Sequence, residues 1–207
     1  MLQKRLAEIA PEVQFMGEEK DNSQVDLSGA VWVLDPVDGT TNLIHAFSTA
    51  RSRWLWRRMD KCPRCGIPSY TQECFIARRG GGAFQNGRPI RVSGTIRLAE
   101  SLLSAGTVPG RRELADEAFR QMRALYDRCQ DVRRTGCASL DLCWVACGRL
   151  DGYVELSLQP WTTPPECASR RRLEEKSPPQ TAAPYPSGRA GLCWPLTGGS
   201  TARCKQF

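Results

Sequence analysis

One stretch of the chain joins an apolar run of strand length to a turn of small, acidic and hydroxylated residues, Val31-Trp32-Val33-Leu34-Asp35-Pro36-Val37-Asp38-Gly39-Thr40-Thr41-Asn42. The apolar run predicts a buried strand, and Asp35 is expected to leave its end facing solvent. Asp38 follows three positions later, and Pro36 stiffens the path between the two carboxylates. Gly39 permits a tight turn, after which a helix can begin.

This turn has the residue types that bind a metal ion and a phosphate group. Closely spaced carboxylates suit hard divalent cations, which prefer oxygen ligands. Thr40, Thr41 and Asn42 are typical of helix starts, where backbone N–H groups can receive a phosphate oxygen. An alternative is a turn in which Asp and Asn side chains only satisfy backbone donors. An isolated Asp-x-x-Asp pattern leaves both interpretations open.

The longer string from Trp32 to Asn42 resembles the signature of the inositol monophosphatase family. Other segments are similar to further family elements, namely Gly17-Glu18-Glu19, a hairpin at 82–93 with Asn86-Gly87 as its turn, and residues 133–161. The resemblance covers roughly residues 4–47 and 71–161. It implies a mixed α/β fold, a layered α-β-α-β-α sandwich. The sandwich is expected to be incomplete, because the resemblance starts after the family's first two helices and fails in the C-terminal unit.

The resemblance also implies a Mg²⁺-dependent, Li⁺-sensitive hydrolase of inositol monophosphate. Closely spaced divalent ions can activate a water molecule and neutralise the leaving alkoxide. The implied metal ligands are Glu18, Asp35, the Val37 carbonyl and Asp38, with Asp35 placed to bridge two ions. The implied catalytic residues are the three carboxylates and Thr40, of which Glu18 and Thr40 would orient the attacking water. The implied substrate-binding residues are Gly39, Thr40 and Thr41 for phosphate, and Ala138 and Glu155 for the polyol.

Two expectations from the family meet an objection in the residues of this chain. Glu155 could instead be an exposed strand residue, because most glutamate side chains are exposed. At position 162 the family places an Asp ligand after the equivalent of Trp161, whereas this chain has Thr162. A neutral hydroxyl is a poor substitute for a carboxylate, so the second ion is expected to bind weakly. We therefore expect severely impaired activity, which Thr162→Asp alone would not restore.

The basic residues are concentrated in two unusual stretches. The chain of 207 residues has a net charge of +7, of which residues 48–70 carry +5 and residues 162–207 carry +4, leaving −2 for the rest. This distribution argues against a nucleic-acid-binding face. Residues 51–64 show neither helical nor strand periodicity, and the Pro-, Ser- and Arg-rich residues 162–207 are closer to a disordered tail. The predicted organisation is a family-like domain at 1–161 with an aberrant segment at 48–70, followed by an aberrant tail at 162–207.

A shift of the codon frame offers one explanation of both stretches. After Trp161, a frame shifted by one base permits Trp-Asp-x-Ala-Ala-Gly, which resembles a family element. From Ser48 to Pro68, the shifted frame permits an alternating strand, a turn and a second strand. Met59-Asp60 then requires Gly, where a turn favours it. We interpret both stretches as frameshifted readings of an ordinary family member, which the nucleotide sequence would test.

The cysteines and the single histidine add little chemistry. Cys62 and Cys65 have the spacing of zinc ligands, but no second pair completes four ligands, which disfavours a zinc site. Cys137, Cys143 and Cys147 occupy apolar positions of a predicted helix and are interpreted as core residues. His45 is interpreted as an ordinary residue after the motif.

Partners and alternative functions follow from the same features. No segment has the length and apolar character of a membrane span, so a cytoplasmic protein is expected, with neither nucleic acid nor membrane as partner. The family resemblance implies a small phosphorylated polyol as substrate. A homodimer is possible by resemblance. Sibling functions of the same superfamily are hydrolysis of fructose 1,6-bisphosphate or of a 3′(2′),5′-bisphosphate nucleotide. A non-catalytic metal-binding or interaction protein is the alternative from another class.

Overall fold

The computed structural model describes residues 2–18, 20–26, 29–47, 51–57, 65–67, 72–78, 81–158, 191–194 and 203–206. These residues form two β-sheets with four α-helices. The mixed α/β class predicted from the sequence is thus observed. Among the described residues, no helix is long and apolar enough to cross a membrane.

The first sheet contains the quoted motif in its second strand. Its seven strands follow one another in chain order, namely β1 (Gln14–Gly17), β2 (Val31–Asp38), β3 (Arg51–Arg57), β4 (Cys65–Ile67), β5 (Phe75–Arg78), β6 (Gly82–Gln85) and β7 (Arg88–Pro89). Strands β1 and β2 are parallel, and the remaining pairs are antiparallel. Helix α1 (Leu2–Ile9) precedes the sheet, and helix α2 (Thr40–Ile44) follows β2.

The second sheet is formed by later segments of the chain. Its strands are β8 (Leu102–Ala105), β9 (Asp131–Arg133), β10 (Gly152–Glu155), β11 (Gly191–Trp194) and β12 (Arg203–Gln206), in the spatial order β12-β11-β10-β8-β9. Strand β8 is parallel to β9 and to β10. Helix α3 (Ala115–Tyr126) lies between β8 and β9 in the chain, and helix α4 (Ala138–Ala146) lies between β9 and β10. Such parallel pairs need long crossover connections, which these helices supply.

The predicted hairpin turn is confirmed. The Asn86-Gly87 turn joins β6 to β7, with φ angles of 48° and 78°. Positive φ at both central residues is the requirement of a two-residue hairpin turn, which explains why Asn and Gly stand there.

Strand β2 differs from the sequence prediction at its end. It continues through the motif to Asp38 instead of stopping at Leu34, with an irregularity in its pairing with β3 between Asp35 and Asp38. Alternate residues of a strand share a face, so Asp35 lies on the same buried face as Val31 and Val33. The expectation that Asp35 faces solvent is therefore wrong.

Helix α3 carries a stripe of apolar residues along one face, and this stripe is covered only in part. Ala118 is buried, whereas Phe119 and Tyr126 are each 58% exposed. Helix α3 packs beside β9, an edge strand, so the described residues offer only a narrow surface to cover the stripe. Among the predicted core cysteines, Cys137 is buried, and Cys143 and Cys147 are half-buried.

The two compositionally unusual stretches contribute strands. Strand β3 pairs with β2 over the length of the motif, although residues 51–64 lack strand periodicity. Strands β11 and β12 extend the second sheet from β10, within the stretch that composition assigns to a disordered tail. Backbone N–H and C=O groups of an uncovered sheet edge can pair with a chain of almost any sequence, so pairing overrides pattern here. The domain boundaries stay a prediction, since Trp161, Thr162 and most of the tail lie outside the described residues.

Candidate active site

Glu18 lies beside Asp35, because Gly17 at the end of β1 pairs with Leu34 of the parallel strand β2. Glu18 directly follows β1, and its carboxyl group shares a hydrogen bond with that of Asp35. The Asp35 side chain is 2% exposed. Burial, followed by repulsion from Asp38 and Glu18, raises the pKa of Asp35 to about 8. Burial, together with the acidic neighbours, therefore favours the protonated form of this carboxyl group at neutral pH.

Asp38 connects the first sheet to helix α4. Its Oδ2 accepts a hydrogen bond of 2.7 Å from the backbone N–H of Ser139 and one of 3.3 Å from the Cys137 thiol. A carboxylate at the N-terminus of a helix is stabilised by the unsatisfied N–H groups and by the helix dipole. Burial and the Asp38 charge raise the pKa of the Cys137 thiol far above its ordinary value, so this cysteine is a poor nucleophile.

The turn after Asp38 is tightly packed against the loop before α4. Gly39 has a φ of 82°, and a Cβ at this position would lie 3.2 Å from the Gly136 carbonyl oxygen. Asn42 donates a hydrogen bond of 2.8 Å from Nδ2 to the Thr135 carbonyl. The Thr40 hydroxyl donates to the Val37 carbonyl at 3.0 Å. Thr40 and Thr41 are both exposed at the start of α2, where solutes can reach them.

The predicted polyol residues lie near Asp38. Ala138 is the first residue of helix α4, next to the Ser139 N–H that binds Asp38. Glu155 ends strand β10 and is half-buried. Burial raises the pKa of Glu155, and the Asp38 charge adds to the increase. The fold thus brings Asp38 of the first sheet into electrostatic range of Glu155 in the second sheet.

Asp141 is a further buried carboxyl group, which was not predicted from the sequence. Asp141 lies in the first turn of α4, is 1% exposed and accepts a hydrogen bond of 2.8 Å from the Thr135 hydroxyl. Burial is the main cause that raises its pKa to about 7, against the hydrogen bonds from Thr135 and Ser104. An aspartate within an otherwise apolar helix was the signal that could have revealed it.

Asp141 predicts a pH dependence of folding stability. Because its pKa is raised from 3.8 to about 7, the folded state binds the proton more tightly than the unfolded state. Its contribution to the free energy of unfolding therefore falls as the pH rises from 4 to 7, at most by about 1.4 kcal/mol per pH unit. We expect Asp141→Asn to flatten this slope, measured by urea unfolding at a series of pH values.

The control for this measurement is Asp116→Asn, which removes an exposed carboxyl group from the first turn of helix α3. It is expected to keep the parental slope between pH 4 and 7. The interpretation of Asp141 as a buried proton-binding group would be rejected if both variants unfolded with the same pH dependence as the parent chain.

The chemistry of the donor set fits a divalent cation. Within the described ranges, no group of three or more His, Cys, Asp and Glu side chains is arranged to hold an ion, and one Asp38 oxygen accepts the Ser139 N–H at the start of α4. The pKa of Asp35 is nevertheless raised, first by burial and then by the negative charges of Asp38 and Glu18. A divalent cation relieves such repulsion more effectively than a proton, and it takes the same oxygen ligands. The Val37 carbonyl is also at this corner and accepts the Thr40 hydroxyl.

The predicted site residues are therefore placed as follows. Glu18, Asp35 and Asp38 approach one another, and Gly39 and Thr40 adjoin them. Ala138 lies next to the Ser139 N–H that binds Asp38, and the Asp38 charge acts on Glu155. Glu19 of the Gly-Glu-Glu element, the Cys62 of the zinc-like pair and Thr162 lie outside the described residues. The individual roles of these residues stay predictions.

Comparison with protein families gives a match to the model described as the inositol monophosphatase family, over residues 1–53 and 61–164. The chain belongs to the inositol monophosphatase family. This family is generally metal-dependent, and membership supports a phosphatase. The unmatched residues 54–60 fall within the aberrant segment at 48–70.

Curated relatives match more than half of the chain. The chain is 39% identical over 132 residues to a protein of Vibrio cholerae named Nus factor SuhB, which covers 63% of this chain and 49% of that protein. It is 38% identical over 154 residues to an inositol-1-monophosphatase of Synechocystis, covering 73% of this chain and 53% of the relative. The chain thus spans about half the length of the curated relatives it matches.

Solved structures confirm the predicted fold type. The inositol monophosphatase of Anabaena matches with a TM-score of 0.72 and 35% identity, covering 78% of this chain and 64% of that one. A structure of SaIMPase-II described as bound to 2′AMP matches with a TM-score of 0.67 and 26% identity, covering 78% of this chain and 62% of the other. The chain is therefore built on the α/β sandwich of this family.

Proposed function

We propose that the protein is a Mg²⁺-dependent phosphomonoester hydrolase of inositol monophosphate, descended from an active enzyme and itself impaired. The observation that carries the proposal is the convergence of Glu18, Asp35 and Asp38 at one corner of the first sheet, where burial, and then repulsion from Asp38 and Glu18, raises the pKa of Asp35. Carboxylates crowded in this way are destabilising unless a cation binds among them. Inositol monophosphatase names among the relatives support the substrate class.

The proposed chemistry assigns each residue of this corner a task. Glu18, Asp35, Asp38 and the Val37 carbonyl would hold Mg²⁺, which supplies Lewis-acid stabilisation of the phosphate and of the leaving oxygen. The Thr40 hydroxyl donates to the Val37 carbonyl, so its oxygen can accept a hydrogen bond from the attacking water. Glu18 accepts a hydrogen bond from the other O–H of this water and so helps to orient it. Gly39, Thr40 and Thr41 donate hydrogen bonds to the phosphate oxygens, Thr40 through its backbone N–H.

Recognition of the polyol is assigned to Ala138 and Glu155. A carboxylate accepts hydrogen bonds from substrate hydroxyl groups, which selects polyols over simple esters. A specific observation keeps the nucleotide alternative open, because the related SaIMPase-II was captured with 2′AMP and, separately, with inositol monophosphate. Fructose 1,6-bisphosphate is the other sibling substrate.

A substrate panel tests this assignment. We expect Glu155→Gln to lower kcat/KM for inositol 1-phosphate by about tenfold, because losing a charge-assisted hydrogen bond to the substrate costs roughly 1.5 kcal/mol. Hydrolysis of p-nitrophenyl phosphate, which has no hydroxyl groups, should stay within about twofold of the parent chain. Phosphate release would be measured with Mg²⁺ on both esters, on fructose 1,6-bisphosphate and on a 3′-phosphorylated nucleotide.

Two outcomes of the panel would contradict the proposal. Preference of the parent chain for the nucleotide or for fructose 1,6-bisphosphate would favour a sibling function. Binding of Mg²⁺ without turnover of any ester would favour a non-catalytic interaction protein, a class consistent with relatives named Nus factor SuhB. We propose further that the protein is cytoplasmic, inhibited by Li⁺ and capable of forming a homodimer.

A further inference from the structure

The Glu155 carboxylate is held by hydrogen bonds from its own chain before any substrate binds. Tyr153 donates a hydrogen bond of 2.5 Å from its hydroxyl to Oε2. The backbone N–H of Val108 donates one of 3.2 Å to Oε1. Each carboxylate oxygen therefore has one donor from the protein and keeps a further acceptor site for another hydroxyl group.

The Tyr153 hydroxyl is itself held in place. Tyr153 and Glu155 are two positions apart in β10, so their side chains leave the same face of the strand. The Tyr153 side chain is 2% exposed and packs with Val145 and Leu150 in the hydrophobic core of the second sheet. A buried aromatic ring in a packed core has little freedom, so its hydroxyl gives a fixed point for the carboxylate.

The Val108 N–H is presented by a strained backbone. Val108 has a φ of 46°, in the left-handed region that β-branched residues rarely adopt. Such a conformation costs free energy and persists only where surrounding contacts favour it, often at functional sites. The hydrogen bond to Glu155 is one such contact.

Gly106 leaves the space that the carboxylate occupies. A Cβ at this position would lie 2.2 Å from Cδ of Glu155 and 2.4 Å and 2.6 Å from its two oxygens. Gly106 is not among the glycines with positive φ, so its backbone conformation is open to other residues. The glycine is therefore needed here for space and not for its backbone freedom. The clash would fall on the end of a flexible side chain, which can turn away without unfolding the protein.

The charges around Glu155 favour an acceptor of hydrogen bonds. Arg134 lowers the pKa of Glu155, while Asp38 raises it. The Arg134 guanidinium is held by the Thr107 hydroxyl, at 2.8 Å from Nη2 and 3.2 Å from Nε. Thr107 lies between Gly106 and Val108, so one short segment provides the space, the N–H and the anchor of the nearby positive charge.

We propose that Tyr153 and Gly106 are positioning residues that preset Glu155 as an acceptor for substrate hydroxyl groups, and that they thereby determine selectivity for polyol phosphates. Glu155 touches the substrate, and the other two act through it. This inference deepens the proposed function and rests on it for the identity of the ligand. The arrangement of Glu155 itself can be tested without any ligand.

The first experiment measures the Glu155 carboxyl group by ¹³C NMR in the full chain. Tyr153→Phe removes a hydrogen bond that lowers the pKa of Glu155, so the pKa should rise. Gly106→Ala should displace the side chain and change both the chemical shift and the pKa. Matched controls are Tyr126→Phe, at an exposed tyrosine, and Gly110→Ala, where a Cβ meets nothing within 4 Å. Variants that leave the Glu155 signal as it is in the controls would overturn the positioning role.

The second experiment compares two ligands by calorimetry in the presence of Mg²⁺, inositol 1-phosphate and inorganic phosphate. Both variants should weaken binding of inositol 1-phosphate by about tenfold and change phosphate binding by less than about twofold, because only the former uses Glu155. Equal weakening of both ligands would indicate a structural role and would overturn the selectivity claim. If the NMR changes occur but the parent chain does not discriminate inositol 1-phosphate from phosphate, the proposed function fails while the positioning of Glu155 stands.

Discussion

Replacing Asp35 with Asn is expected to abolish stabilisation of the fold by Mg²⁺. At a Mg²⁺ concentration 100 times Kd, binding at one site raises the free energy of unfolding by about 2.7 kcal/mol. Asn lacks the negative charge that attracts the ion, and it removes the carboxyl group that Glu18 and Asp38 repel. The variant should therefore unfold at the same temperature with and without Mg²⁺. Without the ion it should be at least as stable as the parent chain.

Thermal unfolding with and without Mg²⁺ provides the measurement, and calorimetric titration with Mg²⁺ gives Kd. Glu18→Gln should behave in the same direction, because Glu18 shares the hydrogen bond with Asp35. Asp127→Asn, at the end of helix α3, is the control and should keep the full Mg²⁺ effect. A Mg²⁺ shift that survives in Asp35→Asn would remove this corner from consideration as the metal site.

Restoring the shifted reading frame after Trp161 is expected to raise phosphate release from inositol 1-phosphate by about 100-fold or more, since loss of a metal ligand costs at least as much as loss of its supporting contacts. The restored frame permits Asp in place of Thr162 and a following Ala-Ala-Gly element. Thr162→Asp in the chain as it stands should recover little, because the segment after it would still be foreign to the family.

The comparison needs three proteins assayed side by side with Mg²⁺, namely the parent chain, Thr162→Asp and the frame-restored chain. A frame-restored chain with Asn at the new Asp position is the matched control, and its activity should return to the parental value. If the parent chain already released phosphate as fast as the Anabaena relative, impairment by loss of the ligand would be refuted.

The carboxylates and the turn of the motif were predictable because they lie in contiguous residues. A strand followed by Asp35, Asp38, Gly39 and Thr40 indicates carboxylates beside a turn whatever the rest of the fold. The Asn86-Gly87 hairpin was predictable for the same reason, since its φ angles depend on two residues alone. Predictions of strand ends were less accurate. Pairing with β3 extends β2 through the motif and buries Asp35, and no pattern within residues 31–38 contains that information.

Electrostatic properties depended on contacts between distant parts of the chain. The Asp38 carboxylate and the Ser139 N–H are 101 positions apart, and Glu155 is 47 positions from Val108. The raised pKa of Asp141 needs the covering of α4 by the second sheet, because desolvation is a property of the assembled core. Gly106 looks like any loop glycine until Glu155 is placed against it.

Near neighbours along the chain set the acidic motif and the hairpin, because local conformation and residue chemistry depend on adjacent residues, and these features already indicate the family. The folded chain set the burial of Asp35, the contact of Asp38 with helix α4 and the hydrogen bonds that hold Glu155. These properties arise from burial and from hydrogen bonds between segments that are distant in the sequence, and such segments meet only once the chain has folded.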